Sequence, residues 1–364
     1  MTISRDYFED LFVLELANNH WGSLQRGKKI VDEFSRVVRY NNVRASIKLQ
    51  LRDVENFIHR DYRNRQDIRY IKKTLDTQMS RQDFSELFEY IMKAGCIPSA
   101  TPFDEASVKF LDELGLPFVK IASSDLNDWI LIEAIAKLKK PVIVSTGGSS
   151  LKDLDDLVTF FENRGIALAL NHCVSLYPSE DRQLELNQID FLRNRYPGVT
   201  IGFSTHEYHD WTSSVMMAYA KGARTFERHI DIELDGIPVS PYCTLPHQCD
   251  QWFRAFAKAK EMCGASGTEK RIPPSDEVRY LDALVRGVYA RRNLKSGERI
   301  TEQDIYLAVP LLAGQVSCRE FIAGEILAND VLQHGPVTLR DLDTPYSRLA
   351  PLRDHIATRG LQTE

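Results

Sequence analysis

No apolar run in this chain approaches the roughly 20 residues that a membrane-spanning helix requires, so a helical membrane protein is not expected. The first six residues, Met1 to Asp6, lack the apolar core of a secretory signal, and a cytoplasmic location is expected. Neither sign of charge dominates: the formal net charge is −5 over 364 residues, with the charges scattered. That gives no basis for nucleic acid or an anionic membrane surface as a partner. Cysteine is sparse as well. The six cysteines show no CxxC spacing, and Cys243, Cys249 and Cys263 are too far from a finger pattern to suggest zinc. Reduced thiols rather than a disulfide framework are expected.

What is present is alternation. Over residues 1–263 short apolar runs alternate with helical patterns, which predicts a parallel α/β fold. Eight strands are predicted, at residues 11–16, 44–49, 96–100, 118–122, 142–145, 167–171, 200–204 and 224–228. Amphipathic stretches lie between them, among others at 24–40, 107–114, 129–138, 151–163 and 212–221. Eight βα units favour a (β/α)8 (TIM) barrel over an open doubly wound sheet. Residues 52–80, rich in charge and aromatics, read as an insertion after the second strand rather than a core element. Residues 264–285 read as a linker. Residues 286–345 read as a small β-rich domain built from two similar halves, and 346–364 as a C-terminal tail. Each half carries Thr-x-x-Asp, with Thr301 and Asp304 in one and Thr338 and Asp341 in the other, the pattern of a capped turn.

A barrel gathers its chemistry where the strands stop. All eight predicted strands end in polar residues: Glu15; Lys48 and Gln50; Thr101; Lys120, Ser123 and Asp125; Ser145; Asn171 and His172; Ser204 and His206; Glu227, Arg228 and His229. Neutral imidazoles of His206 and His229 suit a divalent metal with positions open to water and substrate. Lys48, Lys120 and Arg228 with Thr101, Ser123, Ser145 and Ser204 would form a cationic, hydroxyl-rich bowl for a phosphate ester. Ser145 precedes Gly147 and Gly148, a turn that can present backbone N–H groups to an anion. The alternative for the two lysines is an internal ion pair with Glu15 or Glu227. His172 reads equally as a contact near the metal or as a hydrogen-bonded barrel residue. His209 and His247 read as exposed, Trp129, Trp211 and Trp252 as packing, and His20 and Trp21, which follow the first strand, as shaping the substrate pocket.

Residues 15–22 (ELANNHWG), 47–50 (IKLQ), 101–104 (TPFD), 120–123 (KIAS), 145–147 (STG), 172–173 (HC), 177–178 (YP), 202–206 (GFSTH) and 227–229 (ERH) together resemble the N-acetylneuraminate (sialic acid) synthase family. That family has a barrel followed by an antifreeze-protein-like (SAF) domain, and the resemblance runs over nearly the whole chain. It implies condensation of phosphoenolpyruvate (PEP) with an aldose to give a 3-deoxy-2-ulosonic acid and inorganic phosphate. It implies a Mn or Mg ion on His206 and His229 that polarises the aldehyde oxygen. PEP would be held by Lys48, Thr101, Lys120, Ser123, Ser145 and Ser204, and Glu15 would handle protons or stabilise developing positive charge. Gln50, Asp125 and Tyr177 would line the sugar side. A homodimer is implied, in which the SAF domain closes the partner's barrel mouth.

The chain also departs from that pattern. The family's Gly-Pro-Asp stretch after the second histidine is replaced at 236–243 by GIPVSPYC, with Asp235 out of register. Asp125 stands for the usual Glu, Arg228 for the usual Lys, and residues 308–311 (AVPL) for the small domain's Arg-Pro-Gly. The phosphate side is intact and the acceptor side altered, which points to a neutral or differently substituted aldose, without the acyl group an Arg would contact. Two other functions suit the same barrel: a metal-dependent pyruvate aldolase, which would have no need of the phosphate-suited residues, and a non-catalytic sugar-binding homologue, which would have no need of both histidines.

Overall fold

The computed structural model describes residues 5–264, 267–345 and 349–361. The first four residues, residues 265–266 of the predicted linker, and 346–348 and 362–364 of the predicted tail lie outside the described residues. The chain divides into two compact units, 1–264 and 265–364.

In the first unit strands and helices alternate: β1 (Leu11–Ala17), α1 (Leu24–Asn41), β2 (Arg44–Leu51), α2 (Val54–Phe57), α3 (Arg69–Asp76), α4 (Arg81–Lys93), β3 (Ile97–Pro102), α5 (Glu105–Glu113), β4 (Val119–Ile121), α6 (Trp129–Lys137), β5 (Val142–Ser145), α7 (Leu151–Glu162), β6 (Leu168–Cys173), α8 (Asn187–Arg195), β7 (Thr200–Thr205), α9 (Ser213–Ala220), β8 (Thr225–His229) and α10 (Pro246–Cys263). The strands pair in parallel in sequence order, and β8 returns to β1 to close the barrel. Every predicted strand is present, with ends within two residues of those expected. The helices start where side-chain oxygens can satisfy free backbone N–H groups: Ser23 at α1, Ser80 at α4, Asp104 at α5, Asp128 at α6 and a reciprocal Ser150–Asp153 box at α7.

The period-2 alternation of a strand sorts its side chains into two sets. One set faces the helices and forms the main core, with Phe12, Leu14, Ile47, Leu49, Val144, Leu170, Ile201, Phe203 and Phe226 among it. The other set fills the barrel in layers. The lowest layer is apolar, with Leu11, Val13, Phe118, Ile143 and Ala169 in a separate cluster closed by Phe8. Above it sit small polar groups: the Ser46 and Ser99 hydroxyls hydrogen-bond at 2.6 Å, and Thr225 donates to the Asn171 side chain beside Gly202. The top layer carries the charged strand ends. Among the polar endings read from the sequence, Glu15, Lys48, Thr101, Lys120, Ser145, Ser204, Glu227 and His229 are therefore upper inward positions of strands whose lower inward positions are plugged.

The second unit holds α11 (Ser275–Asp282), the antiparallel pair β9 (Gly287–Ala290) and β10 (Ile305–Ala308), a second antiparallel pair β11 (Ile326–Leu327) and β12 (Leu342–Asp343), and α12 (Ala350–Thr358). Val288, Leu294, Ile300, Val316, Val331 and Val337 form its core. The two Thr-x-x-Asp echoes close in the same way: Thr301 donates to Asp304 at 2.7 Å and Thr338 to Asp341 at 2.6 Å. The first spans a turn and the second a 3-10 turn, so neither opens an α-helix. Residues 275–282, within the segment read as linker, form α11. Residues 350–358, within the segment read as tail, form α12, whose Ile356 is buried in the core.

No described helix is long and apolar enough to cross a membrane. All six cysteines are free thiols.

The barrel interior leaves no space at Gly202: a Cβ there would sit 1.8 Å from Thr225 Oγ1 and 2.1 Å from Asn171 Oδ1. Gly202→Ala is expected to destabilise the protein by about 1–3 kcal/mol through overpacking. A lowered urea midpoint checks this, and an unchanged midpoint would contradict the layered interior.

Candidate active site at the strand ends

The C-terminal ends of the eight strands open into a cavity of about 680 Å³ within the first unit. Glu15, Lys48, Thr101, Lys120, Ser145, Cys173, Ser204 and Glu227 form its floor, and Gln50, Ser123, Tyr177, His206 and His229 its walls.

One side is cationic and rich in hydroxyls. Lys120 donates to Ser145 Oγ at 2.7 Å and to the carbonyl of Ile121 at 2.8 Å. Lys48 donates to Thr101 Oγ1 at 3.0 Å, pairs closely with Glu15, and lies 3.4 Å from Glu227. Both lysines are almost fully buried. Burial pushes the Lys48 ammonium down to about 8; Glu227 opposes the shift and neighbouring Lys120 reinforces it. Burial raises the Glu227 carboxyl, but Lys120 and Lys48 outweigh it and hold the group below its ordinary value. Oε1 of Glu15 and Oε2 of Glu227 are buried without a hydrogen-bond partner. Such atoms are costly unless they face a reactant. The β5–α7 turn passes close by: Gly147 N–H donates to Ser123 Oγ at 3.0 Å, and a Cβ at Gly147 would lie 2.1 Å from Ser175 Oγ. Glycine is required there because the backbone approaches so closely.

The other side is aromatic and neutral. The rings of His206 and His229 lie 5.4 Å apart, with Tyr177 4.0 Å from His206 and Tyr242 5.2 Å from His229. His206 Nδ1 lies 2.9 Å from the Val174 carbonyl, which can only accept, so Nδ1 carries the proton and Nε2 keeps its lone pair. Burial drives His206 down to about 4, and His229 well below its ordinary value with the His206 and Lys48 charges adding to the effect. Two neutral imidazoles, one with its tautomer set by a backbone carbonyl, fit half of a divalent metal's coordination sphere. Among the described residues no group of three or more His, Cys, Asp or Glu could hold a metal, so the remaining ligands would be water and substrate.

The loop after β8 is fixed from outside the cavity. Arg26 on α1 pairs with Asp231 at 2.8 Å and donates to the carbonyls of Asn19, Ile232 and Leu234, and Asn19 donates to the carbonyl of Ile230. Asp231 is thereby committed to Arg26, and Asp235 is exposed on the surface. Neither supplies the acid missing after His229.

Of the twelve residues to which the family resemblance assigns a role, eleven line this one cavity: Glu15, Lys48, Gln50, Thr101, Lys120, Ser123, Ser145, Tyr177, Ser204, His206 and His229. Asp125 is absent from the lining; it is the last residue of the 3-10 turn whose Ser123 and Ser124 do line the cavity. Arg228 does not join the cationic bowl. It is an outward position of β8, buried against Glu207 at 2.6 Å and Thr244 at 2.8 Å. Of the two lysines, Lys48 forms the internal ion pair weighed as the alternative, with Glu15 and Glu227 while facing the cavity, whereas Lys120 is held by Ser145 and the Ile121 carbonyl. His20 and Trp21 do not shape it: His20 is buried against Phe84, and Asn18 and Asn19 line the wall instead. His172 is a hydrogen-bonded barrel residue, 2.7 Å from the Leu184 carbonyl. The insertion at 52–80 is part of the site, through Arg69, Tyr70 and Lys73 of α3. Tyr242, also unforeseen, reaches the cavity from a loop that lacks regular periodicity. Glu227 was foreseen only as an ion-pair partner; its i, i+2 spacing from His229 was the available signal.

The profile of the NeuB family matches residues 42–266. A putative spore coat polysaccharide biosynthesis protein E from Chromobacterium violaceum is 33% identical, with a TM-score of 0.88, over 92% of this chain and 100% of that one. The N-acetylneuraminate-9-phosphate synthase of Drosophila melanogaster is 26% identical over 92% of this chain and 96% of its own. The pseudaminic acid synthase of Campylobacter jejuni is 25% identical over 88% and 92% respectively.

The Lys48 ammonium loses its proton as pH rises through about 8, whereas His206, at about 4, stays neutral well below that point. The affinity for a phosphate-bearing anion such as PEP is therefore expected to hold near neutrality and to fall above pH about 8. Calorimetric titration of PEP across that range measures it, with Lys48→Met binding weakly at every pH. A flat profile in the wild type would contradict the assignment.

Proposed function

Because the chain belongs to the NeuB family, we propose that it is a PEP-dependent condensing synthase, joining PEP to an aldose to form a 3-deoxy-2-ulosonic acid of the sialic acid type. The observation that carries this reading is the two-sidedness of the cavity, with Lys48, Lys120 and hydroxyls facing two neutral imidazoles. PEP presents a phosphate and a carboxylate, and the two buried ammonium groups, with Thr101, Ser123, Ser145 and Ser204, match that pair of anions. The aldose enters on the side of Gln50 and Tyr177, and is N-acetylmannosamine-like or a related sugar without the acyl group.

In the proposed reaction C3 of PEP bonds to the aldehyde carbon, the aldehyde oxygen takes a proton, and positive charge develops at C2. Water adds at C2, and cleavage of the C2–O bond releases inorganic phosphate, so one water is consumed per phosphate. Glu15, paired with Lys48 and holding one unpartnered buried oxygen, stabilises the charge at C2 or takes the proton of the incoming water. Glu227 fixes Lys48 from the other side. His206 and His229 would hold a Mn or Mg ion, which when bound supplies the Lewis acidity that polarises the aldehyde oxygen. Burial keeps both rings in the neutral form that can ligate.

The test is PEP-dependent release of inorganic phosphate over a panel of aldoses with Mn or Mg. Saturable release with at least one aldose is expected. Lys120→Met should lower kcat/KM on the order of 100-fold, as when one preorganised charge contact is removed from a closed site. Aldol product from pyruvate without phosphate release would favour the aldolase, and no release with any aldose despite bound metal would sink the synthase.

A further inference from the structure

Gln50 is the last inward residue of β2. Ser46, Lys48 and Gln50 recur every second residue, so Gln50 faces the cavity roughly 6–7 Å above Lys48 along the strand. It lies in register with Thr101 of β3. The floor beneath holds the cations and hydroxyls that suit PEP, which leaves the Gln50 amide at the level of the aldose. An amide has two unlike halves, an oxygen that accepts and an NH2 that donates. Which half meets a ligand depends on what holds the other.

Arg52 decides that question here. It follows the end of β2 in the same phase as Gln50 and donates from Nη1 to Gln50 Oε1 at 3.0 Å. A guanidinium has five N–H donors and no acceptor, so the Gln50 atom that meets it is the oxygen. Asn18 Nδ2 donates to the same oxygen at 3.3 Å. Turning the amide over would set its NH2 against the guanidinium, donor against donor. With Oε1 engaged twice, Nε2 is the free half, and among the described residues it has no hydrogen-bond partner.

Arg52 is held in its turn. Its guanidinium lies 3.7 Å from the centre of the Phe103 ring and 5.5 Å from that of Phe57, the geometry of a cation–π contact. The backbone on both sides of it is tied to the end of β3. Phe103 N–H donates to the Leu51 carbonyl at 3.1 Å, and Asp53 N–H to Asp104 at 2.7 Å. Burial lowers the guanidinium to about 10, with Asp125 and Asp104 opposing, and it keeps its charge at neutral pH. Arg52 is not among the residues that line the cavity. Its route to the substrate is through Gln50.

We propose that Arg52 is a positioning residue that turns the Gln50 amide donor-first into the cavity, so that the aldose is read at this wall through a hydroxyl or carbonyl oxygen that accepts from Nε2. Assigning that oxygen to the aldose rests on the synthase reading, and the orientation of the amide does not. A group that can only donate, such as an ammonium, finds no partner at Nε2.

A double-mutant cycle separates this role from ring stacking alone. KM for PEP and for the best aldose of the panel is measured in wild type, Arg52→Met, Gln50→Ala and the double variant. Arg52→Met is expected to raise KM for the aldose by about three- to tenfold, the span of one net hydrogen bond, with KM for PEP unmoved. On the Gln50→Ala background the same change should move it by less than about twofold, because the amide through which Arg52 acts is gone. Equal effects on the two backgrounds, or a rise in KM for PEP, overturns the positioning role. Neutron diffraction from deuterium-exchanged crystals without substrate distinguishes failure here from failure of the synthase reading. The Gln50 deuterons are expected on the cavity side, with Oε1 toward Arg52. Deuterons turned toward Arg52 overturn the proposal whether or not any aldose turns over. Deuterons on the cavity side in a protein that turns over no aldose uphold the orientation and strike only the synthase reading.

Discussion

The ammonium of Lys48, buried between Glu15 and Glu227, is the constraint on which the rest of the barrel top depends. A buried ion pair is weak evidence for stability, because desolvating its members costs about as much as their attraction returns. Three charges from β1, β2 and β8 at one level are therefore hard to explain as scaffolding. Removing any one would strand the others in a poorly solvated floor. Together they hold an ammonium in place at the cavity floor while leaving a carboxylate oxygen of each glutamate unpartnered.

The layers beneath make that arrangement possible. Leu11, Val13, Phe118, Ile143 and Ala169 plug the base, and the Ser46–Ser99 and Asn171–Thr225 pairs fill the middle. Polar side chains on the next inward positions have nowhere to point but the open end. The helices are tied to the same sites by local chemistry. Asp104, which caps α5, also accepts from Asp53 N–H at 2.7 Å, so the loops after β2 and β3 are fixed together. Arg26 does the same for α1 and the loop after β8, across 205 residues of chain. The cavity wall is thus tied together by Asp104 and by Arg26, and the inserted helix α3 completes its lining.

How much of this was legible follows from the kind of signal each part leaves. Strand periodicity and polar endings gave the barrel and ten of the eleven lining residues, because inward strand positions recur every second residue and need no knowledge of distant contacts; Tyr177 came only from the family resemblance. Asp125 and Arg228 were misplaced for the complementary reason. Asp125 ends a 3-10 turn past the strand, where strand alternation no longer says which way each side chain points, and Arg228 is one residue out of phase with Glu227 and His229, so it faces Glu207 instead. Arg69, Lys73 and Tyr242 come from an insertion and a loop, where no periodicity says which way a side chain points. Arg26 and Asp231 are separated too widely in sequence for any local pattern to join them. The resemblance to sialic acid synthases supplied the chemistry, and the altered positions around the acceptor are the ones that local patterns left open.

The central claim is that one cavity has a phosphate-gripping side and a metal-binding side at fixed positions. It is tested most directly by diffraction from crystals soaked with PEP and Mn, with anomalous data to locate the metal. The account expects an anomalous peak between the imidazoles of His206 and His229 and the phosphate of PEP beside Lys120 and Ser204. Metal bound elsewhere, or PEP outside the barrel mouth, would contradict it.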